Sequence, residues 1–182
     1  MKSPRNSDYL HIGIKYYVIG RFATLSFLSP NAGNLFHHGF EILFKAKLLA
    51  KYSPDDLQKK FGHNLTVLWE LFKCTTKKDS LSKYDSLISE IQKWEEIRYP
   101  NYPSGRNTVM TTMVGRRQKL DQVKNTKTHN YYVLFLDEVD ELFKNVIDNW
   151  PIDPKYVRLV IEQGPFSEAL KVYEDRNNFK IW

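Results

Sequence analysis

Four polar residues recur along one helical face: Asn34, His38, Glu41 and Lys45 stand at i, i+4, i+7 and i+11. An imidazole, a carboxylate and an ammonium in that order can share protons, hold a charged ligand, or complete a hydrogen-bonded network inside a helical assembly. His37 reaches the same Glu41 from the neighbouring position. If the stripe were a solvated edge, the Glu41–Lys45 pair would add only about 0.2–0.5 kcal/mol to its helix. The spacing leaves that edge and an internal network both open. His37 or His38 with Glu41 would offer two or three metal ligands, but no companion motif accompanies them, so no metal and no cofactor is expected. His63 lies beside Asn64 at a helix start, where capping and buried hydrogen bonding are the expected roles.

A second chemistry lies further along. Arg106, Arg116, Arg117, Lys119, Lys124 and Lys127 stand against a single acid, Asp121, in the segment they bound. Such a cluster neutralises phosphates and releases counterions, and Tyr99, Tyr102 and His129 beside it are rings on which bases stack. The competing reading pairs these cations with the acidic residues of the helix that follows, Asp137, Glu138, Asp140 and Glu141.

A third candidate is Arg5-Asn6 followed, after five intervening positions, by His11. Roughly 0.7 such matches are expected by chance in a chain of this composition. Walker, HExxH, GxSxG and dinucleotide-glycine signatures are absent from the sequence.

The elements that must position these groups are mostly helical. Eleven Tyr, eleven Phe and four Trp in 182 residues supply rings enough for a sizeable core. Tyr9, Ile12, Tyr16, Ile19, Ala23 and Phe27 give a first helix, on which Gly13 and Gly20 share a stripe. Two glycines inside a helix, each costing about 1 kcal/mol against Ala, point to close backbone packing or to simple tolerance. Ser29-Pro30 opens a second helix that is apolar around most of its circumference and so belongs at the centre of a bundle.

Lys51 to Gly62 reads as a polar connection. A third helix carries Leu65, Leu68, Trp69 and Phe72 inward, and a fourth runs from about Ser80 to Arg98. Residues 99–130 break the pattern, with a short strand or hairpin at Thr108–Val114. Asn130 is then expected to cap an amphipathic helix through Tyr132, Phe135, Val139, Leu142, Phe143 and Val146. Asp153-Pro154 opens a sixth helix that Gly164-Pro165 closes, and a short seventh starts at Ser167.

The formal net charge of +6 permits an anionic partner without requiring one. One cysteine, Cys74, excludes an internal disulfide and suits a reducing compartment. No apolar h-region follows Met1, and no run nears the ~18 apolar residues of a spanning helix, so a cytoplasmic protein without membrane contact is expected.

Several segments together resemble the HEPN superfamily of small helical proteins. They are Gly33-Asn34-Leu35-Phe36-His37-His38-Gly39-Phe40-Glu41-Ile42-Leu43-Phe44-Lys45-Ala46, Gly62-His63-Asn64-Leu65 with Leu68-Trp69, and Glu95-Glu96-Ile97-Arg98-Tyr99-Pro100. The resemblance implies an all-α, antiparallel up-and-down bundle, commonly a homodimer, in a family of metal-independent RNases and non-catalytic binders of RNA or nucleotides. Catalytic members place an Arg and, after four to six intervening positions, a His at the start of a late helix. Arg98 has no His in range, and Arg5 to His11 has the spacing but sits on the first helix.

The expected organisation is one domain over 1–182. Its bundle core is 7–98 and 131–149, 99–130 is a basic insert, and 150–182 is a C-terminal helical extension. The expected function is non-catalytic, dimeric binding of RNA or another phosphate-bearing ligand. His37, His38, Glu41, Lys45, His63 and Arg98 are the candidate binding residues, with the six insert cations the nucleic-acid contacts. Two alternatives stand beside it: a metal-independent RNase using Arg5 and His11, and a module that docks another protein.

Overall fold

The computed structural model describes residues 6–28, 31–96, 108–117, 130–151, 153, 155–162 and 174. Among the described residues the fold is mostly helical, with one small two-stranded parallel sheet. Helix α1 is Asn6–Leu25 and α2 is Asn31–Leu48. A short α3, Pro54–Asp56, runs into a π-helical turn at Leu57–Phe61. Helix α4, Leu65–Thr76, is followed by a 3₁₀ segment, Asp79–Tyr84, that leads into α5, Asp85–Glu96. Strands β1, Thr108–Met113, and β2, Asn130–Phe135, precede α6, Leu136–Ile147, and α7, Lys155–Glu162. Among the described residues no helix is long and apolar enough to cross a membrane.

Helix α2 holds the middle of the core and meets α1, α4, α5 and α6. Its all-round apolar surface demands this: Phe36, Phe40, Leu43 and Phe44 are each within 1% of complete burial. The approach of α1 is close. A Cβ built at Gly13 would stand 2.7 Å from Leu43 Cγ, and one at Gly20 the same distance from Phe36 Cε1, so the glycine stripe exists to admit α2 side chains.

Gly33 on α2 is tighter still. A Cβ there would lie 2.0 Å from Cδ2 of the fully buried Trp94 on α5. Gly33→Ala is therefore expected to cost about 2 kcal/mol net, since overpacking outweighs the ~1 kcal/mol helix-propensity gain. A fall in melting temperature of about 4–8 °C, followed by circular dichroism, would register it; an unchanged or raised value would contradict the Gly33–Trp94 contact.

Three segments depart from expectation. The polar connection after Lys51 folds into α3 and its π turn because Ser53-Pro54 is itself a helix start: the Ser53 hydroxyl accepts from Asp56 N at 3.1 Å, and Pro54 occupies the first turn. Strand β1 does not close a hairpin. It pairs in parallel with β2, Thr108 opposite Asn130 through Met113 opposite Phe135. Residues 130–135 thus form a strand and not the first turns of a helix, as the aromatic and β-branched run Tyr131-Tyr132-Val133-Leu134-Phe135 favours. Helix α6 begins only at Leu136.

The acidic face of α6 is also split. Glu138 and Glu141 face outward, whereas Asp140 is wholly buried and accepts Arg21 Nε at 3.0 and 3.1 Å and the Tyr17 hydroxyl at 2.5 Å, tying α6 to α1. Tyr17 also stacks flat on Phe143, with centroids 3.5 Å apart. The expected Ser29-Pro30 helix start, Gly164-Pro165 and the helix from Ser167 lie outside the described residues.

Candidate functional site

Helix α2 brings His37, His38, Glu41 and Lys45 to the side where the chain returns from the π turn into α4. Gly62, at φ 52°, ends that turn, and the Asn64 side chain caps α4 by accepting from Val67 N at 3.1 Å. These two residues hold His63 over α2. Its Nδ1 lies 3.1 Å from both oxygens of Glu41. Lys45 donates to Glu41 Oε1 at 2.6 Å and to the Gly62 carbonyl at 2.7 Å. His38 Nδ1 and His37 Nδ1 stand 3.6 and 4.0 Å from Glu41 Oε2, and Glu95 of α5 completes the group with Oε2 at 3.5 Å from His37 Nδ1. The rings of His37 and His38, and of His38 and His63, meet edge to face, and Tyr16 of α1 packs on His38. His38, Glu41 and Lys45 of the stripe thus form a mostly buried network and not a solvated edge, whereas the buried Asn34 Oδ1 takes no part in it.

Burial alone would raise the Glu41 carboxyl. Hydrogen bonding from His38, Lys45 and His63 more than reverses this and holds it at about 2. Glu41 is therefore ionised throughout the neutral range and serves as the acceptor on which the cations and imidazoles converge. Burial pushes the His37 imidazole below its usual value, with Glu95 and Glu41 pulling against it. His63 remains 61% exposed, and with Nδ1 turned to Glu41 its other ring nitrogen is left to the outside. Beside it opens a cleft of about 510 Å³ whose walls include Tyr9, Glu41, Lys45, Asp55, Gln58 and His63.

The insert cations behave differently. Arg117 holds Glu90 of α5 through two hydrogen bonds, 2.6 and 3.1 Å, its backbone N–H donates to Glu138 at 3.2 Å, and its guanidinium lies over the Phe135 ring. Arg116 binds Glu141 at 2.7 Å, a carboxylate that also receives Lys83 at 2.9 Å and the Tyr84 hydroxyl at 3.0 Å. Burial first, and then Glu141, push the Tyr84 hydroxyl up to about 12. Three cations meet three carboxylates here, so the two arginines staple the segment just after β1 to α5 and α6.

His11 faces Asp8 and Lys15 of its own helix, apart from the Glu41 group. Arg5, Arg98, Arg106, Lys119, Lys124 and Lys127 lie outside the described residues. Sequence reasoning missed Glu95 as a member of the cluster. It also missed the Arg21–Asp140 pair: Asp140 reads as one of the acidic residues of its helix, and Arg21 lies off the Tyr9–Phe27 stripe, because the buried face of α1 is Leu10, Gly13, Ile14, Tyr17 and Gly20 while Ile12 and Ile19 turn outward. No family model, curated protein or solved structure matches the chain.

Proposed function

We propose that this chain is a HEPN-like antiparallel helical bundle that binds a phosphate-bearing ligand without cleaving it, and that the ligand sits in the cleft beside Glu41 and not on the basic insert. One observation carries the reading: Lys45 and His63 both line the cleft and both are bonded to Glu41. Lys45 has three N–H donors, and two are engaged by Glu41 and Gly62. His63, in its doubly protonated form, has a second ring N–H to donate to an incoming oxygen while Nδ1–H stays on Glu41, with Tyr9 and Gln58 as neighbours of matching chemistry. The commitment of Arg116 and Arg117 to Glu141, Glu90 and Glu138 speaks against the insert as the contact surface.

Calorimetry with inorganic pyrophosphate, ADP and a short single-stranded RNA, all in EDTA, tests this. Binding is expected to weaken about tenfold in His63→Gln, the loss of one charge-assisted hydrogen bond. Nucleotide binding and RNA-only binding would distinguish a small ligand from a polymer, and the RNA is expected to remain intact. Absence of binding to all three, or binding lost in Arg116→Ala/Arg117→Ala and retained in His63→Gln, would refute the site.

The same reading includes a homodimer. Its surface would be the outer stripe of α1, where Ile12, Ile19 and Phe22 are each about half exposed. Ile19→Lys is expected to turn a dimer into a monomer in light scattering; a parent protein already monomeric would remove the dimer from the proposal.

A further inference from the structure

On the α5 side of the same cluster the geometry points to a metal centre: we propose that His37, His38 and Glu95, with Glu41 in reach as a fourth ligand, bind one divalent transition-metal ion of the zinc class. This goes beyond the phosphate-binding reading and does not depend on it, since that reading uses Lys45 and His63 on the cleft side of Glu41.

The donor atoms of His37, His38 and Glu95 all lie within 4.8 Å of one another. Around an ion held at 2.0–2.2 Å, tetrahedral ligands stand ~3.4 Å apart. His37 Nδ1 to Glu95 Oε2 is 3.5 Å, His38 Nδ1 to Glu41 Oε2 is 3.6 Å, and His37 Nδ1 to Glu41 Oε2 is 4.0 Å. These edges match or slightly exceed that spacing, so a small contraction of side chains would close them on an ion.

The second observation is His37 itself. Its side chain is completely buried, with Gln92 and Glu95 as its polar neighbours, and neither ring nitrogen meets either of them in full hydrogen-bond geometry. A buried imidazole left in that state costs about 1–3 kcal/mol, and a metal–nitrogen bond would remove the cost. Two imidazoles with carboxylate select zinc, cobalt, nickel or copper over magnesium and calcium, which take oxygen ligands throughout. The support is rigid: Gly33, one turn before His37, lies against Trp94, the neighbour of Glu95, so α2 and α5 are locked together at the site. Lys45 and His63, bonded to Glu41, would fix the orientation of that carboxylate from outside the coordination sphere.

The test is titration of the full chain, first dialysed against EDTA, with Co²⁺, read by its visible d–d absorption. One equivalent is expected to bind with tetrahedral-type bands and to be displaced by Zn²⁺. His37→Ala risks unfolding the core, so the partly exposed ligands carry the test. His38→Ala and Glu95→Gln, each confirmed folded by circular dichroism, are expected to weaken Co²⁺ binding by about tenfold or more, and His11→Ala to leave it unchanged. No stoichiometric Co²⁺ absorption in the parent, or equal affinity in the parent and both ligand variants, would overturn the proposal.

Discussion

Asp140→Ala is expected to destabilise the protein by about 3–5 kcal/mol, the largest effect of any single substitution considered. The reason is what remains behind. Arg21 is 0% exposed, and its Nε reaches both oxygens of Asp140, so deleting the carboxylate takes the counter-charge from a buried guanidinium and an acceptor from the Tyr17 hydroxyl. Burial lifts the Asp140 carboxyl above its usual range, while Arg21 and Tyr17 draw it down. The pair thus compensates a cost it creates, and its net contribution is small. Replacing both partners by apolar residues, Arg21→Met with Asp140→Leu, is accordingly expected to recover most of the loss. Urea denaturation of the two single variants and the double variant measures both effects. A cost below about 1 kcal/mol for Asp140→Ala would mean that Arg21 reaches water or another acceptor.

Glu41→Gln is expected to cost on the order of 3 kcal/mol at neutral pH and to remove an acid limb from the stability curve. The carboxyl moves from an ordinary 4.5 to about 2 in the folded protein, a difference of about 2.5 units at ~1.36 kcal/mol each. Because the folded value is the lower one, the unfolded chain takes up the proton first. The stabilisation is complete above about pH 4.5 and is lost as pH falls toward about 2. Glutamine preserves the shape and keeps one acceptor for Lys45, but it carries no charge to match the ammonium that Glu41 binds at 2.6 Å. Denaturation midpoints recorded from pH 7 to pH 2 should converge for parent and variant at the acid end. Parallel curves across that range would assign the acid sensitivity to other carboxylates.

Much of the scaffold was legible in the residues, for reasons the packing makes plain. The all-round apolar surface of α2 forces it into the centre; Gly13 and Gly20 left close packing and simple tolerance open, and the nearness of Leu43 and Phe36 decides for packing. Strand β2 was not legible as such. Tyr132, Phe135, Leu136 and Val139 keep a helical spacing straight through the junction at Leu136, and only pairing with β1 separates strand from helix. The site was half visible. His37, His38, Glu41 and Lys45 declare themselves by periodicity within one helix, whereas His63 and Glu95 arrive from other elements, and their meeting depends on tertiary packing that no spacing encodes. The charge of the insert was equally plain, but its destination was not: Glu90, Glu138 and Glu141 decide what Arg116 and Arg117 bind.

The choice between cleft and insert is measured most directly by nuclear magnetic resonance of protein labelled at histidine and arginine, titrated with ADP and with short RNA in EDTA. The ring signal of His63 is expected to move with ligand concentration while those of His11, Arg116 and Arg117 stay in place. Displacement of the two arginine signals with silent imidazoles would put the ligand on the insert and contradict the account.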